Sequence, residues 1–442
     1  MKNISVFCLA AALAAIVFVA AAARAQDDTA ALKKQNDELR LRLDQLDNEV
    51  QQIKNGRAAK DQADAAKSAT AKPVDVQFYA TIKLDASRDD SRTSAGDFAR
   101  WVESEGTDGN DDEFNMTANQ TRLGFLASGP AQAKIKTSGQ VEADFYGQGA
   151  AENKPDLMLR HAFVKAEWTD WNASLLAGQT SDIISPLTPP TVNYSVCWWQ
   201  GNIGYRRPQI RLTKGVSLAE DVTLKFEAGA TRSITDRKFV FTSSTDPDSG
   251  ADAGFPTTQG RVSLTFPSFN AKPATVGVSG HWGREEQHFT NELGEVNGET
   301  GFETWSGNVD VSLPISSWLL LQGESFVGEN LSAYLGGIGQ GYDPVLKDSI
   351  GAHGGWAAAS LGPWGKWQFN LGSGIDEVNK DDVAANAKSP PRLSNLVYFG
   401  NGSYSLTANL QLALEISYLK TTYKEAADGD DVREQFAAIY KF

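Results

Sequence analysis

Apolar and polar residues alternate with a period of two from Val74 to the end of this 442-residue chain. Successive side chains of a strand point to opposite faces, so the pattern specifies strands with one apolar and one polar face. In the first segment Val76, Phe78, Ala80, Ile82 and Leu84 oppose Gln77, Tyr79, Thr81, Lys83 and Asp85. The pattern returns at Val222, Leu224, Phe226 and Ala228, at Leu410, Leu412, Leu414 and Ile416, and at Phe436, Ala438, Tyr440 and Phe442. Sixteen such segments are predicted, from 75–87 and 115–127 through 273–284 and 302–314 to 432–442.

The connections narrow the architecture. Short turns such as Ser128-Gly129-Pro130 and Gly362-Pro363 alternate with long, acidic, Gly-rich stretches at 88–114, 233–257, 285–301, 329–347 and 377–393. Short turns at one end and long loops at the other mark a transmembrane barrel, and an even strand count is what a single-chain bacterial barrel has. A soluble sandwich could not expose so many apolar strand faces to water. In hydrocarbon every backbone amide needs a partner, so the first strand must join the last, with a seam between 77–84 and 436–442. Trp168, Trp305, Trp318, Trp364, Trp367 and Tyr440 fall near strand ends, where interfacial aromatics belong.

The first 73 residues read differently. Lys2, an apolar run from Ile4 to Ala23 and Ala23-Arg24-Ala25 form a signal peptide over 1–25. A coiled-coil helix is expected over 26–55, with Leu32, Asn36, Leu39, Leu43, Leu46, Val50 and Ile53 spaced as an a/d seam. A solvated helix pairing with nothing is the other reading. Residues 56–73 read as a linker, and 74–442 as the barrel. The net charge of −14 argues against nucleic acid. Removing 1–25 leaves Cys197 as the single thiol, so no internal disulfide forms. Four scattered histidines leave little for a metal or cofactor, and none is expected. Asp108-Gly109-Asn110-Asp111-Asp112-Glu113 lacks the spacing of an EF-hand and reads as a solvated acidic loop.

The stretch near 181–203 stands apart. It holds Asp182, Pro186, Pro189, Pro190, Trp198 and Trp199 and few charges, so it suits a solvated loop poorly. It is expected to fold into the lumen and narrow it; lying over an interface between subunits is the alternative. Strand parity turns Lys83, Arg122, Arg207, Arg211, Lys225 and Arg261 inward, because a cation facing lipid near midplane would cost ~2–4 kcal/mol. The inward acids are Asp85, Glu142, Asp144, Glu227, Asp310, Glu324 and Glu415. Bases on early strands against Asp310, Glu324 and Glu415 on later ones suggest a transverse field. Pairing of these charges with one another, merely bracing the wall, remains open.

The order of these parts resembles the DcaP-like trimeric porins. The likeness rests on Phe78-Tyr79-Ala80-Thr81-Ile82-Lys83-Leu84-Asp85, Gly178-Gln179-Thr180, Ser185-Pro186-Leu187, Arg206-Arg207-Pro208-Gln209-Ile210-Arg211 and terminal Phe442. The resemblance implies an all-β transmembrane barrel of 16 antiparallel strands behind a coiled coil, a homotrimer passing small anions such as dicarboxylates. It also implies the bacterial outer membrane, lipid around the barrel, and an N-terminal segment in the periplasm. A lipase-type enzymatic barrel and a plugged envelope tether are the competing readings.

Overall fold

The computed structural model describes residues 74–108, 111–130, 134–147, 155–233, 253–269, 272–290, 296–386 and 389–442, together with 42, 45, 46, 50 and 51. Two units divide the chain, residues 1–72 and 73–442. In the first, Arg42, Gln45, Leu46, Val50 and Gln51 are helical, with Leu46 and Val50 exposed. The signal peptide, the linker and the seam positions Leu32, Asn36, Leu39, Leu43 and Ile53 lie outside the described residues.

The second unit is one closed antiparallel sheet. Its strands are β1 (Asp75–Asp89), β2 (Glu113–Thr117 and Arg122–Ser128), β3 (Ile135–Asp144), β4 (Met158–Trp168), β5 (Ala173–Ser181) and β6 (Arg206–Ala219). There follow β7 (Val222–Thr231), β8 (Thr257–Pro267), β9 (Pro273–Thr290), β10 (Val296–Pro314) and β11 (Leu319–Glu329). The last five are β12 (Gly351–Trp364), β13 (Trp367–Val378), β14 (Arg392–Ser405), β15 (Leu410–Tyr423) and β16 (Gly429–Lys441). The sheet contains seventeen segments, but both halves of β2 pair with β1, which makes sixteen strands. Each strand pairs with the next, and β16 returns to β1.

The seam is displaced from the expected register. Thr81 to Arg88 pair with Lys441 to Glu434, and Ala80 exchanges both backbone bonds with Phe442 at 2.9 and 3.1 Å. β9 and β10 are also longer than their periodicity foretold, reaching Thr290 and Val296. In β2, Thr117 pairs with Asp85 and Arg122 with Thr81, so five residues on β2 match four on β1. The turn at 118–121 absorbs the extra residue and resets the alternation, which turns Arg122 inward.

Outward rows are apolar and exposed, as at Phe78, Ile82, Leu212, Leu414 and Ile416. Trp318 and Trp364, 6.1 Å apart, stand with Trp367 and Tyr440 at the short-turn end, whereas Trp305 pairs with Trp282 nearer the long loops. The core lies inside the cylinder, near the long-loop end. Besides 182–205, parts of the β1–β2 and β11–β12 connections turn inward and bury Phe98, Trp101, Leu331, Tyr334, Leu335 and Ile338 around Trp199. Arg100 and Arg392 cover the Trp101 ring at 4.5 and 4.0 Å. Strand alternation and the Gly and acid content of these connections gave no sign of this burial.

Candidate functional site

Loop 182–205 leaves β5 after Ser181 and returns at Arg206. No residue from Ile183 to Tyr205 is charged, so burying it removes no ion from water. Its backbone amides still need partners, and inward side chains of distant strands supply them. Ile183 N donates to Gln259 Oε1 (2.7 Å), Leu187 N to Glu324 Oε1 (2.9 Å), and Val192 N and Asn193 N to the two oxygens of Glu415 (2.6 and 3.1 Å). Lys83 Nζ donates to the Val192 carbonyl at 2.8 Å, Asn401 to that of Pro190 and Asn395 to that of Trp199. Gly201, at φ +105°, lies where a Cβ would run into the Gly355 and Ile375 carbonyls, so only glycine permits this approach to the β12–β13 wall. The loop thus crosses the lumen. Pro189, Trp199 and Cys197 are buried in it, whereas Pro186 and Thr188 are exposed to the open space.

This fastening revises the expected transverse field. Glu324 and Glu415 are consumed as acceptors for the loop, and besides Leu187 N, Ser185 Oγ (3.4 Å) and Trp356 Nε1 (3.0 Å) also donate to Glu324. Asp310 holds Arg261 through two bonds of 2.9 and 2.6 Å, and Glu227 takes both Arg261 (3.2 Å) and Lys225 (3.0 Å). Gly277 on the intervening β9 makes room for that pair, since a Cβ there would fall 2.5 Å from Asp310 Oδ1. Lys83 pairs with Asp85 at 3.0 Å. Arg207, 1% exposed, pairs with Asp182 (2.8 Å), bonds the Ala333 carbonyl (3.0 Å) and lies 3.9 Å over the Tyr334 ring. Arg211 is half-buried and bonds Gln209 and the Ser181 carbonyl. Arg207, Arg261, Lys83, Lys225, Asp310, Glu324 and Glu415 are therefore neutralised or used as braces, the reading the sequence left open.

A different set of arginines lines the open space. Between the loop and the β2–β6 wall is a cavity of about 150 Å³, bordered by Arg122, Arg160, Arg206, Ser185, Thr188 and Tyr194 among others. Arg160 comes from a β-bulge: Glu142 pairs with His161 and Ala143 with Leu159, so Arg160 is the unmatched residue and points inward beside His161. It bonds Glu142 (2.7 Å) and Asp144 (2.5 Å). Arg122 and Arg206 have no ion pair among the described residues. Arg122 Nε and Arg206 Nε and Nη2 are buried without a hydrogen-bond partner, Arg206 lying 4.4 Å over the Tyr205 ring and 5.7 Å over Trp198. Nearer the short turns is a second cavity of about 580 Å³, bordered by Arg122, Pro190, Thr191 and Val192. Arg122 therefore belongs to both spaces. Arg160 and Arg206 escaped the sequence reading because a bulge and a strand terminus both interrupt strict alternation.

No family model matches the chain, and no curated protein matches it in sequence. In structure it is similar to the outer-membrane channel DcaP of Acinetobacter baumannii, at 19% identity and a TM-score of 0.63, over 84% of this chain and 97% of that one. It is also similar to an anion-selective porin from Comamonas acidovorans, at 11% identity and a TM-score of 0.54, over 84% and 100%. Outer-membrane expressed OmpT of Vibrio cholerae aligns at 10% identity and a TM-score of 0.51, over 84% and 99%. The chain thus has the sixteen-stranded barrel fold of outer-membrane channels, with the DcaP-like resemblance holding at the level of the fold.

Proposed function

We propose that this protein is an outer-membrane porin, a water-filled passage for small hydrophilic solutes that favours small anions such as dicarboxylates. The observation that carries it is the pair Arg122 and Arg206, whose guanidinium groups line the space beside the loop and make no ion pair among the described residues. The facing loop, uncharged from Ile183 to Tyr205, does not oppose them, so the local potential is positive although the chain as a whole is acidic. Two cavities meeting at Arg122 on either side of the loop favour a passage over a plugged tether. The lipase reading needs an accessible serine and imidazole, but the serine–histidine contact among the described residues, Ser306 with His281 at 2.7 Å, is buried beneath Tyr334. Lipid around the apolar outer wall, a homotrimer, and a coiled coil on the periplasmic side complete the proposal.

Reversal potentials across a planar bilayer in a salt gradient test it. Anion selectivity is expected in the wild type, and Arg122→Ala with Arg206→Ala should move the potential toward cation selectivity. A cation-selective wild type, or a double variant with unchanged potential, would refute it.

A further inference from the structure

The larger cavity, on the short-turn side of the loop, has an unusual wall. Most of the inward charges on other walls are paired, as at Arg261 with Asp310 and Arg433 with Asp89. On β12–β15 the part of the wall that borders the cavity is neutral, made by Ser360, Gln368, Asn370, Asn401, Ser403 and Gln411; Glu415, next to Asn401 in the same row, is buried under the loop and taken up by Val192 N, Asn193 N and Asn401 Nδ2. Strand register explains the grouping. Ser360 pairs with Asn370 and Asn370 with Asn401 in one transverse row, and Gln368 pairs with Ser403 in the next. Rows two residues apart on one face are separated by roughly 7 Å and strands by about 4.8 Å, so the groups form one platform.

Much of the platform's bonding capacity is unspent. Asn370 Nδ2 donates to Asn401 Oδ1 and Gln411 Nε2 to Ser403 Oγ, both at 2.8 Å, and Gln368 Nε2 to the Phe369 carbonyl at 3.3 Å. The amide oxygens of Gln368, Asn370 and Gln411, and the Ser360 hydroxyl, have no partner among the described residues. Amide oxygens accept from O–H groups. The same cavity is bordered by Arg122 and Lys441, neither of which has an ion pair among the described residues, and by no carboxylate.

The geometry points to a binding site for polyhydroxylated carboxylates, the chemistry of sugar acids: the carboxylate at Arg122 and Lys441, the hydroxyls on the amide platform. This rests on the anion-passage reading and goes beyond it by separating hydroxylated anions from plain ones of equal charge and length.

The test is interruption of single-channel current by glucarate and by adipate, two six-carbon dicarboxylates that differ in their hydroxyls. Glucarate events are expected to last about tenfold longer, equivalent to about 1.4 kcal/mol. In Asn370→Ala with Gln411→Ala the glucarate events should shorten to the length of adipate events on the same variant. Equal residence of the two anions on an anion-selective wild type overturns this site alone, as does an undiminished glucarate preference in the double variant. A cation-selective wild type that neither anion interrupts overturns the anion reading and the site together.

Discussion

The guanidinium of Arg207 lies against Tyr334 and bonds Asp182 and the Ala333 carbonyl, so its removal strands the Asp182 carboxylate. Breaking one side of a buried pair costs about 3–5 kcal/mol, whereas replacing both partners with neutral groups costs far less. Arg207→Met should therefore lower the unfolding temperature of the barrel in detergent markedly, and Arg207→Met with Asp182→Asn should recover most of the loss. Equal destabilisation by the single and double variants would contradict the pairing. Arg122, by contrast, makes no ion pair among the described residues that its removal would break. Strand parity put both arginines on the inner face, and that much was legible in the sequence. Which of them meets a carboxylate was not, because the partner depends on the loop lying over Arg207 and on the bulge that gives Glu142 and Asp144 to Arg160 instead.

Loops were harder to read than strands. The sixteen segments were legible because alternation is written into each strand locally. For 182–205 the lack of charge pointed to an inward course; the same signal stands in 330–342, which also carries no charge, but it was hidden inside the longer acidic, Gly-rich stretch 329–347, whose depth alternation alone does not give. The β1–β2 connection hides its inward course differently, since Phe98 and Trp101 are interspersed with acids. One of these, Asp97, is pushed up to about 7 by burial, against the pull of Arg433. An acid whose folded pKa exceeds its ordinary 3.8 keeps a proton that the unpacked loop releases. Packing is thus favoured below about pH 4 and loses stability as the pH rises from there through about 7. Amide-exchange protection of 91–104, corrected for intrinsic rates, should be higher at pH 5 than at pH 8, and Asp97→Asn should flatten the difference. Protection that rises with pH would contradict the assignment.

At the scale of the whole molecule, the arrangement is inverted relative to a soluble domain: polar side chains and packed loops fill the interior while Val, Leu, Ile and Phe rows face out. Closure of β16 onto β1 pairs the backbone of every edge, so the outer wall offers apolar side chains to its surroundings. Leu414, on the outer row of β15 and 63% exposed, is a direct probe of what those surroundings are. If the row meets hydrocarbon near midplane, Leu414→Arg costs ~2–4 kcal/mol, because a cation there loses its water without gaining a partner. Ser403→Arg, on the inward face of β14, meets a wet cavity instead and should be tolerated. Urea unfolding in phospholipid vesicles should separate the two variants in that order. Were Leu414→Arg as stable as the wild type, the outer rows would not be facing lipid, and a passage through the cylinder would have no membrane to cross.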